Sequence, residues 1–202
     1  RIGGTTPAAR NLISGNLIGM VFTGAADGNV VQGNLIGTDV TGTVVLGGVD
    51  YGVFIGGGGA PTNNLVGGAA PGARNVISGN GRRGVNFSVA NGNRVEGNFI
   101  GTDVTGTLAL GNGAGVDITG DNNIIGGAVP GAGNVISGNG GGVRITQGST
   151  GNRVEGNFVG TDETGSLDLG NLSVGVTIFN SPSNTIGGLV PGAANIIAYN
   201  GA

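Results

Sequence analysis

The chain contains no cysteine, no histidine and no tryptophan, and all eight of its basic residues are arginine. Without cysteine and histidine it forms no disulfide and no thiolate or imidazole metal site, and it has no imidazole to act as a general base. Without lysine it forms no Schiff base. These absences predict a protein that requires no metal or other cofactor.

Charge is also scarce, at 9% of the 202 residues, and the formal net charge is −3. Such a chain offers no basic surface to the phosphates of a nucleic acid. It contains no apolar run close to the roughly 18 residues that a membrane span requires. We therefore expect neither a nucleic-acid partner nor insertion into a membrane.

Stretches free of glycine and proline are short, because 49 residues are glycine. The longest covers residues 193–200, about two helical turns, and each glycine inside a helix would cost about 1 kcal/mol. The remaining short runs of valine, isoleucine and leucine, separated by glycine and asparagine, are typical of strands and turns. The composition and length predict a single all-β domain over residues 1–202.

What the sequence has in abundance is repetition. Asn75-Val-Ile-Ser-Gly-Asn80 returns unchanged at residues 134–139. The phrase Gly-Asn-x-Ile/Val-Gly-Thr-Asp occurs at residues 33–39, 97–103 and 156–162. A third phrase, apolar-Gly-Gly, divides the chain into repeats at approximately residues 2–65, 66–124 and 125–185, with a partial repeat at 186–202.

Each long repeat consists of two shorter ones of about 31 residues, marked by Gly-Val dipeptides. We predict three short strands in each: one like residues 115–118, one like residues 93–96, and one that ends in Gly-Asn, as at 135–139 and 108–112. Apolar and polar residues alternate in the clearest strands, so one face is buried. The pattern predicts a parallel β-helix of six to seven rungs, stacked at about 4.8 Å.

Asparagine recurs at fixed places in successive rungs. One column, interrupted by Gly48, consists of Asn16, Asn80, Asn112, Asn139, Asn171 and Asn200. A second column consists of Asn29, Asn64, Asn93, Asn123, Asn152 and Asn184. Asparagine favours corners, and stacked amides can hydrogen-bond from one rung to the next, as they do in cross-β structures. We therefore predict two asparagine ladders along the coil.

The phrases Asn-Val-Ile-Ser-Gly-Asn, Gly-Asn-Phe-Ile-Gly-Thr-Asp-Val-Thr-Gly-Thr and Ile-Gly-Gly-x-x-Pro-Gly resemble those of bacterial right-handed parallel β-helix repeat proteins in the pectate-lyase-like superfamily. The resemblance covers the whole chain. It implies a right-handed coil of three parallel sheets in a protein that is secreted or displayed at a cell surface. It leaves the activity open, because that fold carries pectin- and alginate-active enzymes, phage tailspikes and inert stalks.

Two groups of side chains are candidate sites. Asp39, Asp103 and Asp162 each begin Asp-x-Thr-Gly-Thr/Ser, and we interpret them as corner turns in which the carboxylate bonds a turn backbone. Asp117 and Asp121, with Arg144 on the following rung, form the one irregular cluster and are a candidate patch for sugar binding or catalysis. The acidic pairs, Gly-His-Gly and Arg-Ile-Lys strings of pectin hydrolases are missing.

No capping helix or polar cap is visible at either end of the solenoid, and the chain opens on Arg1 without a signal peptide. We therefore expect a segment of a longer solenoid, or copies that stack end to end. The leading hypothesis is a structural extracellular stalk, filament or adhesin shaft whose partner is itself, and not an enzyme. The alternative is a β-helix that binds or degrades extracellular polysaccharide. A third hypothesis is ice binding through the Thr-x-Thr pairs at residues 41–43 and 105–107.

Overall fold

The computed structural model describes residues 1–201, and its short strands form three parallel sheets. Sheet A contains β1 (Ile2–Gly3), β4 (Val30–Gln32), β7 (Leu65–Gly67), β10 (Arg94–Glu96), β13 (Ile124–Gly126), β16 (Arg153–Glu155) and β19 (Thr185–Ile186). Sheet B contains β2 (Leu12–Ile13), β5 (Leu35–Ile36), β8 (Val76–Ile77), β11 (Phe99–Ile100), β14 (Val135–Ile136), β17 (Phe158–Val159) and β20 (Ile196–Ile197). Sheet C contains β3 (Met20–Phe22), β6 (Tyr51–Gly56), β9 (Arg83–Ser88), β12 (Val116–Thr119), β15 (Val143–Ile145) and β18 (Val176–Ile178).

The chain visits the sheets in the constant order A, B, C, so every strand pairs with the strand three positions along. This confirms the predicted all-β parallel solenoid with about six turns of about 31 residues. The helical element described within residues 1–201 is a single 3-10 turn at Pro7–Ala9.

The core lies inside the coil, where equivalent side chains stack in register. In sheet C, Val85, Val116 and Val143 are direct partners on three successive strands. All three are at most 1% exposed, whereas Asp117, which follows Val116, points to the outer face beside Arg144. Since every rung adds the same apolar residues to the same column, the hydrophobic core is continuous along the axis.

Two kinds of loop alternate along the coil. A loop rich in glycine and proline precedes every second strand of sheet B, and we call these four segments the A–B loops: residues 4–10, 68–74, 127–133 and 188–194. A short hairpin follows the intervening strands of sheet B, and each is closed by one antiparallel bridge: Thr38 with Val45, Thr102 with Ala109, and Thr161 with Asp168. We call these the B–C hairpins. The long sequence repeat therefore contains one loop of each kind.

The structure places one strand differently from the sequence prediction. In the rungs that carry a hairpin, the strand of sheet B is the segment before it, such as β11, and residues 108–112 are the returning arm of the hairpin. Phe99 is 2% exposed and Ile100 is fully buried, whereas Leu108 is 60% exposed. A strand of two residues is too short to show an alternating pattern, so the longer apolar run at 108–110 was misleading.

No helix in residues 1–201 has the length and apolar character needed to cross a bilayer.

Gly101 follows β11 at a φ of +91°, where a Cβ would lie 2.2 Å from Oδ1 of Asn139 on the next rung. Gly28 also has a positive φ, +67°, but a Cβ there would meet no atom within 4 Å. Replacement by alanine costs about 1–2 kcal/mol of left-handed backbone strain at both sites, and overpacking adds about 1–3 kcal/mol at Gly101 alone. We expect Gly101→Ala to lower the unfolding free energy clearly more than Gly28→Ala in urea titrations. Equal losses would contradict the close approach of successive rungs.

Candidate functional site

The two predicted asparagine columns are hydrogen-bonded ladders, and each occupies one corner of the triangular coil. At the corner between sheets B and C, the backbone N–H and the side-chain Nδ2 of Asn80 both donate to Oδ1 of Asn112, at 3.0 and 2.9 Å. The same pair of bonds continues through Asn139, Asn171 and Asn200. At the corner between sheets C and A the ladder runs from Asn29 through Asn64, Asn93, Asn123 and Asn152 to Asn184.

Asn16 is the exception in the first column. Gly48 lies between Asn16 and Asn80 and has no side chain to continue the series. Asn16 is exposed, and its Nδ2 donates locally to the carbonyl of Ser14 at 3.3 Å. The ladder of this corner therefore begins at Asn80.

A third ladder, which the sequence prediction missed, fills the corner between sheets A and B. It consists of Asn11, Asn34, Asn75, Asn98, Asn134, Asn157 and Asn195. Its members come alternately from two different sequence phrases, and their separation alternates between 23 residues and 36–41 residues. A search for one constant period therefore does not find it. The usable signal is that each of these asparagines directly precedes a two-residue strand of sheet B.

Asn98 illustrates how the side-chain carboxamide of a ladder residue satisfies its hydrogen-bonding groups. Its Oδ1 accepts from the backbone N–H and the Nδ2 of Asn75, at 3.2 and 2.9 Å. Its own Nδ2 donates to Oδ1 of Asn134 at 3.0 Å and to the carbonyl of Val66 at 2.9 Å. The side chain is fully buried, so it satisfies two acceptor sites and two donors without water. Removing it leaves polar groups on both neighbouring rungs unpaired.

We expect Asn98→Ala to lower the unfolding free energy by about 3 kcal/mol or more, because each buried group left unpaired costs about 1–3 kcal/mol. Asn16→Ala, in the exposed and interrupted part of its column, is the matched control and should change stability by less than about 0.5 kcal/mol. Chemical denaturation followed by circular dichroism measures both. A loss at Asn98 no larger than that at Asn16 would show that the ladder does not stabilise the coil.

Asp39, Asp103 and Asp162 organise the three B–C hairpins. Oδ1 of Asp39 accepts the backbone N–H groups of Thr43 and Val44, both at 3.0 Å, and its Oδ2 accepts the Thr41 hydroxyl at 2.7 Å. The same three bonds recur at Asp103 and at Asp162. The hydroxyls of Thr41 and Thr43 also bond each other at 2.6 Å. Each carboxylate therefore closes its own turn.

These hydrogen bonds stabilise the charged form of each carboxyl group and so lower its pKa. The Thr41 hydroxyl is the main reason that the pKa of Asp39 falls from 3.8 to about 2, and the Thr164 hydroxyl lowers the pKa of Asp162 to about 2 in the same way. At Asp103 burial raises the pKa, but the hydrogen bonds from Thr105 and the turn backbone outweigh it and leave the pKa below 3.8. The hairpins are therefore most stable with all three aspartates ionised.

A carboxyl group whose pKa is lower in the folded than in the unfolded state stabilises the fold at pH values above the unfolded-state pKa. This contribution to the unfolding free energy is lost as the pH falls through the folded-state pKa. We therefore expect the unfolding free energy to fall as the pH drops from about 4 to about 2. The triple variant Asp39→Asn, Asp103→Asn, Asp162→Asn should be less stable at neutral pH and should have a flatter profile in that window. Urea unfolding at pH 2, 3, 4 and 7 measures both; identical slopes in the two proteins would contradict the assignment.

The candidate patch on sheet C is an ion-paired triad on the outer face. Both oxygens of Asp117 are bonded to Arg144, from Nε at 3.1 Å and from a terminal nitrogen at 2.6 Å, and Nε of Arg83 contacts Oδ2 from the other side. The Asp117 side chain is only 6% exposed. Its hydrogen bonds raise the pKa of Arg144. Asp117 is therefore engaged on both sides by guanidinium groups.

Asp121 does not belong to this triad. Its Oδ1 accepts the backbone N–H of Thr150 at 2.7 Å and the Thr150 hydroxyl at 3.2 Å, at the corner between sheets C and A. The side chains of Arg82, Arg83 and Arg144 instead border a cleft of about 220 Å³ on the outer side of sheet C. Three guanidinium groups around one cleft suit a ligand that carries an anionic group.

Other carboxylates lie on sheet A in repeated positions. Glu96 and Glu155 are each about 5% exposed and pair with the arginine two residues before them, Arg94 and Arg153 respectively. Burial raises the pKa of Glu96 against the opposing charge of Arg94. Within residues 1–201 no group of three or more acidic side chains is placed to hold a metal ion. The two pairs are therefore equivalent ion pairs of successive repeats, each between a buried carboxylate and an exposed guanidinium.

Comparison of the chain with known proteins found no matching family model, no similar curated protein and no similar solved structure. The function is therefore inferred from the fold and from the side chains described above.

Proposed function

We propose that this chain is a rigid structural rod, a segment of the shaft of a secreted or surface-displayed repetitive protein of the bacterial β-helix type. The observation that carries the proposal is the presence of an asparagine ladder at all three corners of the coil. Every rung is thereby bonded to its neighbours through its strands and through its corners. Such a coil has no internal hinge, and it needs no disulfide or metal to hold its shape.

The use of the polar side chains supports the same proposal. The eighteen asparagines of the three ladders are committed to rung-to-rung bonds, the three hairpin aspartates close turns, and Asp117 is held between two arginines. These are the residue types that an enzyme of this composition would use as acids, bases or ligands. Their commitment to the coil favours a structural role over catalysis.

The last rung of the described coil supports self-association as the partner interaction. Strands β18, β19 and β20 pair on one side only within residues 1–201, and the exposed fractions of Ile178, Ile186 and Ile197 are 43%, 39% and 45%. An open strand edge beside apolar side chains is a template for another strand. We propose that the occupant is a further solenoid rung, supplied by continuation of the same solenoid or by a second copy.

Electron microscopy and X-ray scattering of the purified chain test this proposal. End-to-end stacking of copies predicts long unbranched fibres, and Ile197→Lys on the terminal strand should convert them to short particles because it places a charge in the contact. Leu108→Lys, on an exposed hairpin arm, is the matched control and should leave the fibres intact. Short rigid rods in all three proteins would indicate that the chain is a segment of a longer solenoid. Flexible or collapsed particles would overturn the proposal of a rigid rod.

A rod that binds acidic polysaccharide is the second candidate, and the arginine cleft on sheet C favours it. The rings of Tyr51 and Phe54 lie 5.3 Å apart on the same outer face, and Arg82 donates to the Tyr51 hydroxyl at 2.8 Å. Aromatic faces and guanidinium groups together suit sugars that carry carboxylates. Arg144→Thr, which copies Thr177 on the next rung, should weaken retention on a polyuronate resin; unchanged retention would exclude this cleft. Release of unsaturated sugars from that resin would overturn the structural proposal.

A further inference from the structure

Besides the cleft on sheet C, a groove lies on the outer face of sheet B, between the A–B loops and the B–C hairpins. Its floor is a column of outward-facing apolar side chains on successive strands: Leu35, Val76, Phe99, Val135 and Phe158. The loops cover most of this floor, and four of the five side chains are at most 3% exposed. Phe158 is the partly exposed member. The groove is therefore open at one rung.

The cover over the floor includes an arginine that recurs at one position of the A–B loop, directly before the ladder asparagine. Nε of Arg10 donates to the carbonyl of Gly33 at 3.1 Å, and Nε of Arg74 donates to the carbonyl of Gly97 at the same distance. The guanidinium carbon of Arg74 lies over the Phe99 ring, 3.8 Å from its centre. Arg74 also donates to Oε2 of Glu163 at 3.2 Å.

The next repeat keeps the ring and the glycine carbonyl of this arrangement but lacks the arginine, and its own hairpin carries Glu163 where the hairpin of the preceding repeat carries Val104. Phe158 stands at the place of Phe99 and Gly156 at the place of Gly97, but Gly133 stands at the place of Arg74. The result is a cavity of about 530 Å³ whose border includes Gly133, Gly156, Phe158, Glu163 and the Arg74 that Glu163 holds. A Cβ on Gly133 would lie 2.0 Å from the Gly156 carbonyl oxygen, so the local backbone is shaped for glycine. The chain itself does not fill the cavity.

We propose that this cavity binds an arginine side chain presented by another protein. The guanidinium stacks on Phe158 and donates to the carbonyl of Gly156, as Arg74 does with Phe99 and Gly97. Glu163 supplies the carboxylate, because its Oε1 accepts no hydrogen bond within residues 1–201 while Oε2 holds Arg74. The occupied site then repeats the ring and carbonyl contacts that Arg74 makes, and Glu163 is the carboxylate that both guanidinium groups share.

The chemistry of the cavity selects a guanidinium over other groups. A planar guanidinium can stack on a ring and donate at its edge at the same time, whereas an ammonium is a strongly hydrated point charge that does not stack. A neutral sugar would gain the ring contact but not the attraction of the carboxylate. Cation–π contacts at partly exposed sites are worth about 0.5–1 kcal/mol, so a single arginine binds weakly and the partner must add contacts to the loops that border the cavity.

The test uses the full chain and the blocked tripeptide acetyl-Gly-Arg-Gly-amide, titrated while NMR signals of the protein are recorded. We expect saturable shifts at the Phe158 ring and at the amides of Gly133 and Gly156. The citrulline peptide, which is planar but neutral, and the lysine peptide, which is charged but not planar, should each bind at least about threefold more weakly.

The chain provides its own matched variants. Phe158→Leu copies Leu35, and Glu163→Val copies Val104 at the equivalent hairpin position, so both are residues that the fold already accepts. Each should weaken binding of the arginine peptide by about threefold or more, and Leu108→Lys should not. Equal shifts with the citrulline peptide, shifts located on another face, no saturable shift, or affinity unchanged in both variants would overturn the proposal. None of these outcomes tests the proposed structural role of the rod, which is measured by the fibre experiment.

Discussion

The corners of the coil set the constraint on which the rest of the structure depends. The chain must turn between two strands. The backbone N–H at each turn no longer pairs with a neighbouring strand of the sheet, although it remains buried. A buried donor without a partner is costly. Asparagine solves this at all three corners, because its Oδ1 accepts the backbone N–H and the Nδ2 of the preceding rung while its own Nδ2 donates onwards. One residue type thus allows a core of one or two inward-facing apolar residues per strand to continue from rung to rung.

This constraint explains both the composition and the surface. Glycine is needed where rungs approach too closely for a side chain, as at Gly101, and asparagine is needed where the buried corners must pair. Variation is free only outside the coil. There the arginines of sheet C and the gap left by Gly133 in the A–B loops break the repeat. Partner recognition is therefore expected at the irregular positions, and stiffness at the regular ones.

The sequence predicted the fold class, the turn length and two of the three ladders, because each depends on a single constant period. It missed the ladder through Asn75 and Asn98, since those residues come from two alternating phrases. It placed a strand at residues 108–112 because an apolar run is longer there than at Phe99–Ile100. It grouped Asp121 with Asp117 and Arg144, although the chain leaves sheet C after Thr119 and Asp121 lies at the corner between sheets C and A. The third ladder, the position of the sheet B strand and the place of Asp121 all depend on contacts between rungs. A local sequence pattern does not predict such contacts.

Amide hydrogen exchange of the ladder asparagines tests the central claim most directly, because the backbone N–H of each one donates to the side chain of the next. The N–H of Asn98 bonds Oδ1 of Asn134 at 2.9 Å inside the fully buried corner. It should exchange only through global unfolding, as slowly as the amide of the core residue Ile100. Exchange of Asn98 as fast as that of the exposed Asn16 would contradict a coil held together through its corners.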